Sequence, residues 1–267
     1  MILFTTFVKS NKMKDDIANT ISAGLTSASS LVVGLHPDIP VEYKTLYSSV
    51  SPLIQWNLTS ILKSFTNSKR LTEQECLRLG ISYNTAIDVI NARIKMGYSI
   101  RKDSLFEENI LCKAHVILEA SMRNTIEDSE YEKSVCYGRF MANVPFAEEY
   151  SPSALMLLNQ IIRQVSYKEL CLIACCYKKP AFNCDVIDKY IRSKRDIDAS
   201  EIFNYFIHMK NLGVFITEPP FVLGSNIGKI RLSFSGEALY ELLELQLIPD
   251  EDMESLQGAL SRIGVFK

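Results

Sequence analysis

The sequence predicts a mainly α-helical protein, a multi-helix body followed by a C-terminal module that carries a short β-hairpin. Three observations predict it. Apolar residues recur near the helical period over most of the chain. Two capping boxes mark helix starts. The stretch from Asp198 to Leu245 then changes from helical to strand periodicity and back. At 267 residues, 47 % hydrophobic and 22 % charged, the chain has the composition of a globular protein with a sizeable core. The expected division is an irregular or helical segment over 1–40, a helical body over 41–178 and the C-terminal domain over 179–267.

The N-terminal segment ends in the turn-forming His36-Pro37-Asp38-Ile39-Pro40. Its apolar start precedes the lysines, the reverse of a signal peptide. The run Ile17 to Leu35 holds no charged residue and is nearly bilayer-long, but it is rich in Ser, Thr, Ala and Gly. Such a composition makes transfer into lipid weakly favourable at best. A packed soluble segment is the expectation, and a membrane-acting effector is the alternative.

Val41 to Phe65 has helical spacing through Leu46, Val50, Leu53, Leu58, Ile61 and Phe65, with a kink or break expected at Pro52. Thr72 and Glu75 form a capping box, with Leu71 and Cys76 placed as its staple, so a helix follows to about Lys95 and stops at Gly97. Phe106 to Thr125 is a further helical run, and Glu127-Asp128-Ser129-Glu130 is an acidic link. Pro145 and then Ser151-Pro152 divide the next stretch. Serine caps and proline suits the first helical position. Ser166 with Glu169 is the second capping box.

In the C-terminal module a helix is expected over Phe182 to Ser193. Asp198 is placed as N-cap of the next helix, whose stripe Ile202, Phe203, Phe206, Met209 and Leu212 ends at Gly213. Val214 to Thr217 and Lys229 to Phe234 read as strands around a tip at 224–228. Ser235-Gly236 opens a helix expected over Glu237 to Leu247, and Ile248-Pro249-Asp250 breaks it before a last short helix. A presented helix beside a β-hairpin is the order a winged helix requires.

Winged helices that bind DNA set polar and basic side chains on the presented helix and the wing, where they meet bases and phosphates. The candidates are Asn204, His208, Lys210 and Asn211 on the helix and Lys229 and Arg231 on the wing. Lys189, Arg192, Lys194 and Arg195 are placed to clamp a backbone. The net charge of −2 and the carboxylates Glu201 and Glu218 oppose that use. Use of the module for protein docking, or as a purely structural element, is therefore the favoured reading, with DNA contact beside it.

No chemistry-bearing motif competes. The chain has no GxSxG, Walker, GxGxxG or HExxH pattern, and its three histidines, His36, His115 and His208, are far apart in sequence. Seven cysteines, at 76, 112, 136, 171, 175, 176 and 184, show no CxxC spacing. They read as buried thiols of a reducing cytoplasm, with no metal and no cofactor expected. The expectation is a non-enzymatic binding protein.

Between Glu132 and Tyr177 a further pattern stands out: Tyr137-Gly138 with Ala142-Asn143, the Ser151-Pro152 break, then Ser166-Tyr167 with Leu170-Cys171. With the C-terminal segment, this half of the chain resembles bacterial helical proteins of the abortive-infection (Abi-alpha-like) type. The resemblance implies an accessory or effector protein of anti-phage defence, with a protein partner in a defence complex. It implies no catalytic residues.

Overall fold

A computed structural model describes residues 60–61, 64, 71–103, 105, 113–177, 179, 181–183, 185–194, 196–217 and 229–265, with backbone alone at 182–183, 185–186 and 188. The uncharged run 17–35, the tip 224–228 and Arg195 lie outside these residues. So does the helix expected over 41–65, apart from helical positions at 60, 61 and 64.

The described residues are mainly helical. In order they form α1 (Glu73–Lys95), α2 (Lys113–Glu127), α3 (Lys133–Asn143), a 3-10 turn (Val144–Phe146), α4 (Pro152–Gln164) and α5 (Tyr167–Cys176). Then come β1 (Phe182–Asn183), α6 (Asp185–Lys194), α7 (Ile197–Asn211), β2 (Phe215–Thr217) and β3 (Lys229–Leu232). The chain ends in α8 (Phe234–Leu242), a 3-10 turn (Leu245–Leu247) and α9 (Asp250–Ile263).

Local chemistry sets most of the starts. The Thr72 hydroxyl accepts from the Glu75 amide at 3.2 Å, and the Glu75 carboxylate accepts from the Thr72 amide at 2.7 Å. Both backbone donors would otherwise be unpaired at the first turn of α1. Ser166 and Glu169 repeat the arrangement at α5, and Ser151 caps α4 with Pro152 at the first helical position. Gly97 at φ +86° follows α1, a conformation glycine adopts without strain.

Several expected boundaries are corrected. Asp196, not Asp198, caps α7: it lies in extended backbone and accepts from the Ala199 amide at 3.2 Å. Asp198 falls in the first turn and faces Arg262 of α9 at 3.5 Å. Ser233, not Ser235, caps α8, accepting from the Gly236 amide at 3.1 Å, and α8 ends at Leu242 rather than Leu247. The helix expected from Phe182 begins instead with β1, which pairs Phe182 with Ile230 and Asn183 with Lys229. The two expected strands do pair antiparallel, Phe215 with Leu232 and Thr217 with Ile230, and β1 adds a third strand, giving the order β1-β3-β2. The helix expected from Phe106 is described from Lys113, and it ends at Glu127 rather than Thr125.

Two buried clusters hold these elements. Leu79, Tyr83, Ile87 and Ile90 of α1 pack with Leu118 and Met122 of α2 and Met141 of α3. Here α1 and α3 touch closely, because a Cβ on Gly138 would lie 2.6 Å from the Ser82 carbonyl oxygen. The larger cluster takes residues from both sides of position 178: Phe140, Leu158 and Leu170 from the body, and Ile202, Phe206, Phe215 and Leu239 from the module. Phe206 and Phe215 meet edge to face at 5.3 Å, a favoured aromatic geometry. Several polar groups buried between helices pair across them: Asn159 of α4 accepts from Ser121 and Asn124 of α2, and the Thr125 hydroxyl reaches Ser82 of α1.

Candidate binding surface of the C-terminal module

The helix α7 is positioned by its apolar stripe. Ala199, Ile202, Phe206 and Met209 are buried, so Asn204, His208 and Asn211, spaced four and three residues apart, share the outward face. Two side chains on this part of α7 are tied back to α5. His208 Nδ1 lies 2.6 Å from Glu169 Oε1, while the other oxygen of Glu169 accepts from the Ser166 amide at 2.7 Å. One buried carboxylate therefore caps α5 and holds the imidazole of α7. Glu201 accepts from Lys168 at 3.3 Å and from the Tyr205 hydroxyl. The Tyr205 hydroxyl, and then Lys168, hold the Glu201 carboxyl below its ordinary range. Burial and then Glu201 push the Tyr205 hydroxyl up.

The remaining candidates fall elsewhere. Lys189, Arg192 and Lys194 are exposed on α6. Lys229 and Arg231 are exposed on β3, alternating with buried Ile230 and Leu232, as a half-buried strand requires. Lys210 is half-buried. It follows Phe203 and Phe206 by seven and four residues, so it leaves α7 on the flank beside the core. Among the described residues, none of the candidate cations stands on the outward face of α7; Lys168 of α5 reaches that face but is paired with Glu201, and the candidate basic side chains stand on α6 and β3. The sequence missed Glu169 as the partner of His208. The capping box marks Glu169 as a helix-start residue, but only the packing of α5 on α7 brings the imidazole to it.

Other features have structural explanations. Arg101, 3 % exposed, donates to the Tyr150 carbonyl at 3.0 Å and to the Ala147 carbonyl, and pairs with Asp103. Lys133, 2 % exposed, pairs with Asp128, which also accepts from the Tyr137 hydroxyl at 3.1 Å. Burial pushes the Cys136 and Cys171 thiols up to about 12, the state of inert packing groups. A groove of about 400 Å³ between α2 and α4 is lined by Lys113, Val116, Ile117, Met156 and Leu157 among others. Among the described residues, no group of three or more His, Cys, Asp or Glu could hold a metal ion. None of the described helices is long and apolar enough to cross a membrane. The chain matches no family model, and neither a characterised protein nor a solved structure aligns with it significantly.

Proposed function

We propose that this chain is a non-enzymatic accessory protein that docks a partner protein through a C-terminal winged helix. The winged-helix reading is supported by the order α5-β1-α6-α7-β2-β3 and by a sheet in which β3 lies between β1 and β2. The observation that carries protein docking over DNA binding is the outward face of α7. Among the described residues it offers Asn204, Asn211, a His208 already held by Glu169 and a Lys168 already paired with Glu201, a poor set for phosphates. The resemblance of the C-terminal half to abortive-infection proteins supports setting this role in bacterial anti-phage defence.

The test is co-purification of the tagged chain with the products of its native operon. The expected result is a stable complex that weakens when Asn204 and Asn211 are both replaced by Glu. A monodisperse monomer that retains none of those products would sink the reading.

DNA binding is the second reading, favoured by the exposed Lys189, Arg192 and Lys194 of α6 and by Lys229 and Arg231 of β3. It expects affinity for duplex DNA that falls steeply with salt and is lost when the three α6 cations become Ala. Binding that is absent at low salt removes this alternative.

A further inference from the structure

A second surface of the module has a different character. Phe234, the first residue of α8, is 70 % exposed, and its ring lies 5.9 Å from that of Tyr150. Along the same helix Tyr240 stacks on Tyr177, the residue that ends α5, with ring centroids 3.5 Å apart and planes 10° apart. The Tyr177 hydroxyl donates to Glu241 at 3.3 Å. Burial first, and then the field of Glu241, Glu149 and Glu237, pushes the Tyr150 hydroxyl up to about 12. Phe234, Glu237, Tyr240 and Glu241 all stand on α8, while the Tyr150 ring that meets Phe234 is itself buried, 4 % exposed. Glu149, Glu237 and Glu241 are all exposed, and Phe234, Glu237 and Glu241 follow one another by three and four residues on one face of α8.

Charge sign selects the occupant. Single exposed apolar side chains are ordinary, as at Ile197 and Met96; what sets Phe234 apart is the pair of exposed carboxylates, Glu237 and Glu241, on its own face of α8. Aromatic faces carry negative potential and attract ammonium and guanidinium groups, and neighbouring carboxylates add to that attraction. The same carboxylates repel phosphate, so nucleic acid and an anionic membrane are disfavoured here. We propose that the surface formed by Phe234, Glu237, Tyr240 and Glu241 of α8, with Tyr177 stacked on Tyr240, docks a lysine- or arginine-rich segment of a partner protein. This rests on the reading of the chain as a protein-docking subunit, and it adds a face distinct from that of α7. An arginine or lysine of the segment lies over the exposed Phe234 ring, its charge meets Glu237 and Glu241, and apolar side chains beside it cover the rest of Phe234.

The experiment is fluorescence anisotropy of the full chain with a labelled peptide of alternating lysine and leucine. Its partner is a control peptide of alternating glutamate and leucine. The basic peptide is expected to bind and the acidic one not to bind. Phe234→Ala and the double variant Glu237→Gln, Glu241→Gln are each expected to weaken binding by about tenfold. Glu251→Gln with Glu254→Gln, two exposed carboxylates of α9, is expected to leave binding unchanged. Circular dichroism melts check that each variant is folded, and exposure of Phe234 makes that the expected result. Absence of binding, or equal binding by all variants, overturns the proposal. So does concentration-dependent self-association that Phe234→Ala abolishes, because the covering partner would then be a second copy. Operon products that still co-purify while the peptide fails would leave the docking reading standing and this surface alone refuted.

Discussion

Arg93 of α1 and Glu244, in the turn after α8, form an ion pair at 2.9 Å across the join between the N-terminal helices and the C-terminal module. Glu244 has φ +48°, and among the described residues no other non-glycine has positive φ. A side chain in that conformation costs free energy, of order 1 kcal/mol or more. Three side chains hold it there. Arg93 binds its carboxylate, the Arg139 guanidinium donates to its carbonyl at 3.2 Å, and Asn143 donates to its carboxylate at 3.4 Å and to the Leu242 carbonyl at 2.8 Å. Arg93 also lies 5.2 Å from the centre of the Tyr98 ring.

Replacing Arg93 with Ala leaves a largely buried carboxylate in a strained turn. The expected loss is about 1–3 kcal/mol in urea unfolding. Glu244→Gly removes the strain together with the pair, so it is expected to cost less than Arg93→Ala. Equal or greater loss for the glycine variant would show that the pair outweighs the strain.

Gly138 and Gly80 make a matched test of helix contact. A Cβ on Gly138 would meet the Ser82 carbonyl oxygen and Thr85 Cβ, each at 2.6 Å, whereas one on Gly80 meets nothing within 4 Å. Gly138→Ala must push α3 off α1, with an expected loss of about 2 kcal/mol or more. Gly80→Ala is expected to stabilise by about 0.5–1 kcal/mol, through helix propensity. Thermal melts of the two variants should therefore move in opposite directions.

Acid stability follows from Glu201 and Asp103. The Tyr205 hydroxyl holds the Glu201 carboxyl below its ordinary 4.5, and the Arg101 guanidinium holds the Asp103 carboxyl below its ordinary 3.8. A carboxyl depressed on folding adds stability that is present above its ordinary value. That stability is lost as pH falls through the depressed folded value. Denaturant midpoints should therefore fall as pH drops below that ordinary carboxylate range. Glu201→Gln and Asp103→Asn should each flatten the fall, most clearly in the double variant. Both groups are near the surface, so high salt should reduce the difference.

Cys136 and Cys171 should resist alkylation. With their thiols pushed up to about 12, the thiolate fraction at pH 8 is of order one in ten thousand. Brief iodoacetamide treatment of the native chain, mapped by mass spectrometry, should leave both unmodified, and the same treatment in urea should modify both. Rapid native labelling of either would show that its burial is not maintained in solution.

Much of the helical framework is legible in the sequence, because its signals are short-range. A cap acts over three residues, as at Thr72–Glu75, Ser151–Ala154 and Ser166–Glu169. The apolar stripe of α7 repeats within one helix. Errors arose where two local signals compete. Asp196 and Asp198 are both good caps, as are Ser233 and Ser235, and the buried phase of Ala199 and of Gly236 decides between them. Gly236 is fixed more tightly still, since a Cβ there would lie 2.5 Å from the Val214 carbonyl oxygen.

The candidate surfaces were legible only as residue types. Sequence alone determined a mainly helical chain with a strand-bearing C-terminal module, and gathered its polar residues at 189–231. Tertiary structure alone decided which of them face outward together. It bound His208 to Glu169 across 39 positions and set β1 beside β3 across the whole of α6 and α7. It also placed Tyr150 against Phe234, 84 positions away. The physical reason is range: periodicity and capping act within a turn or two of backbone, while ring contacts, ion pairs and strand partners depend on how separate elements pack.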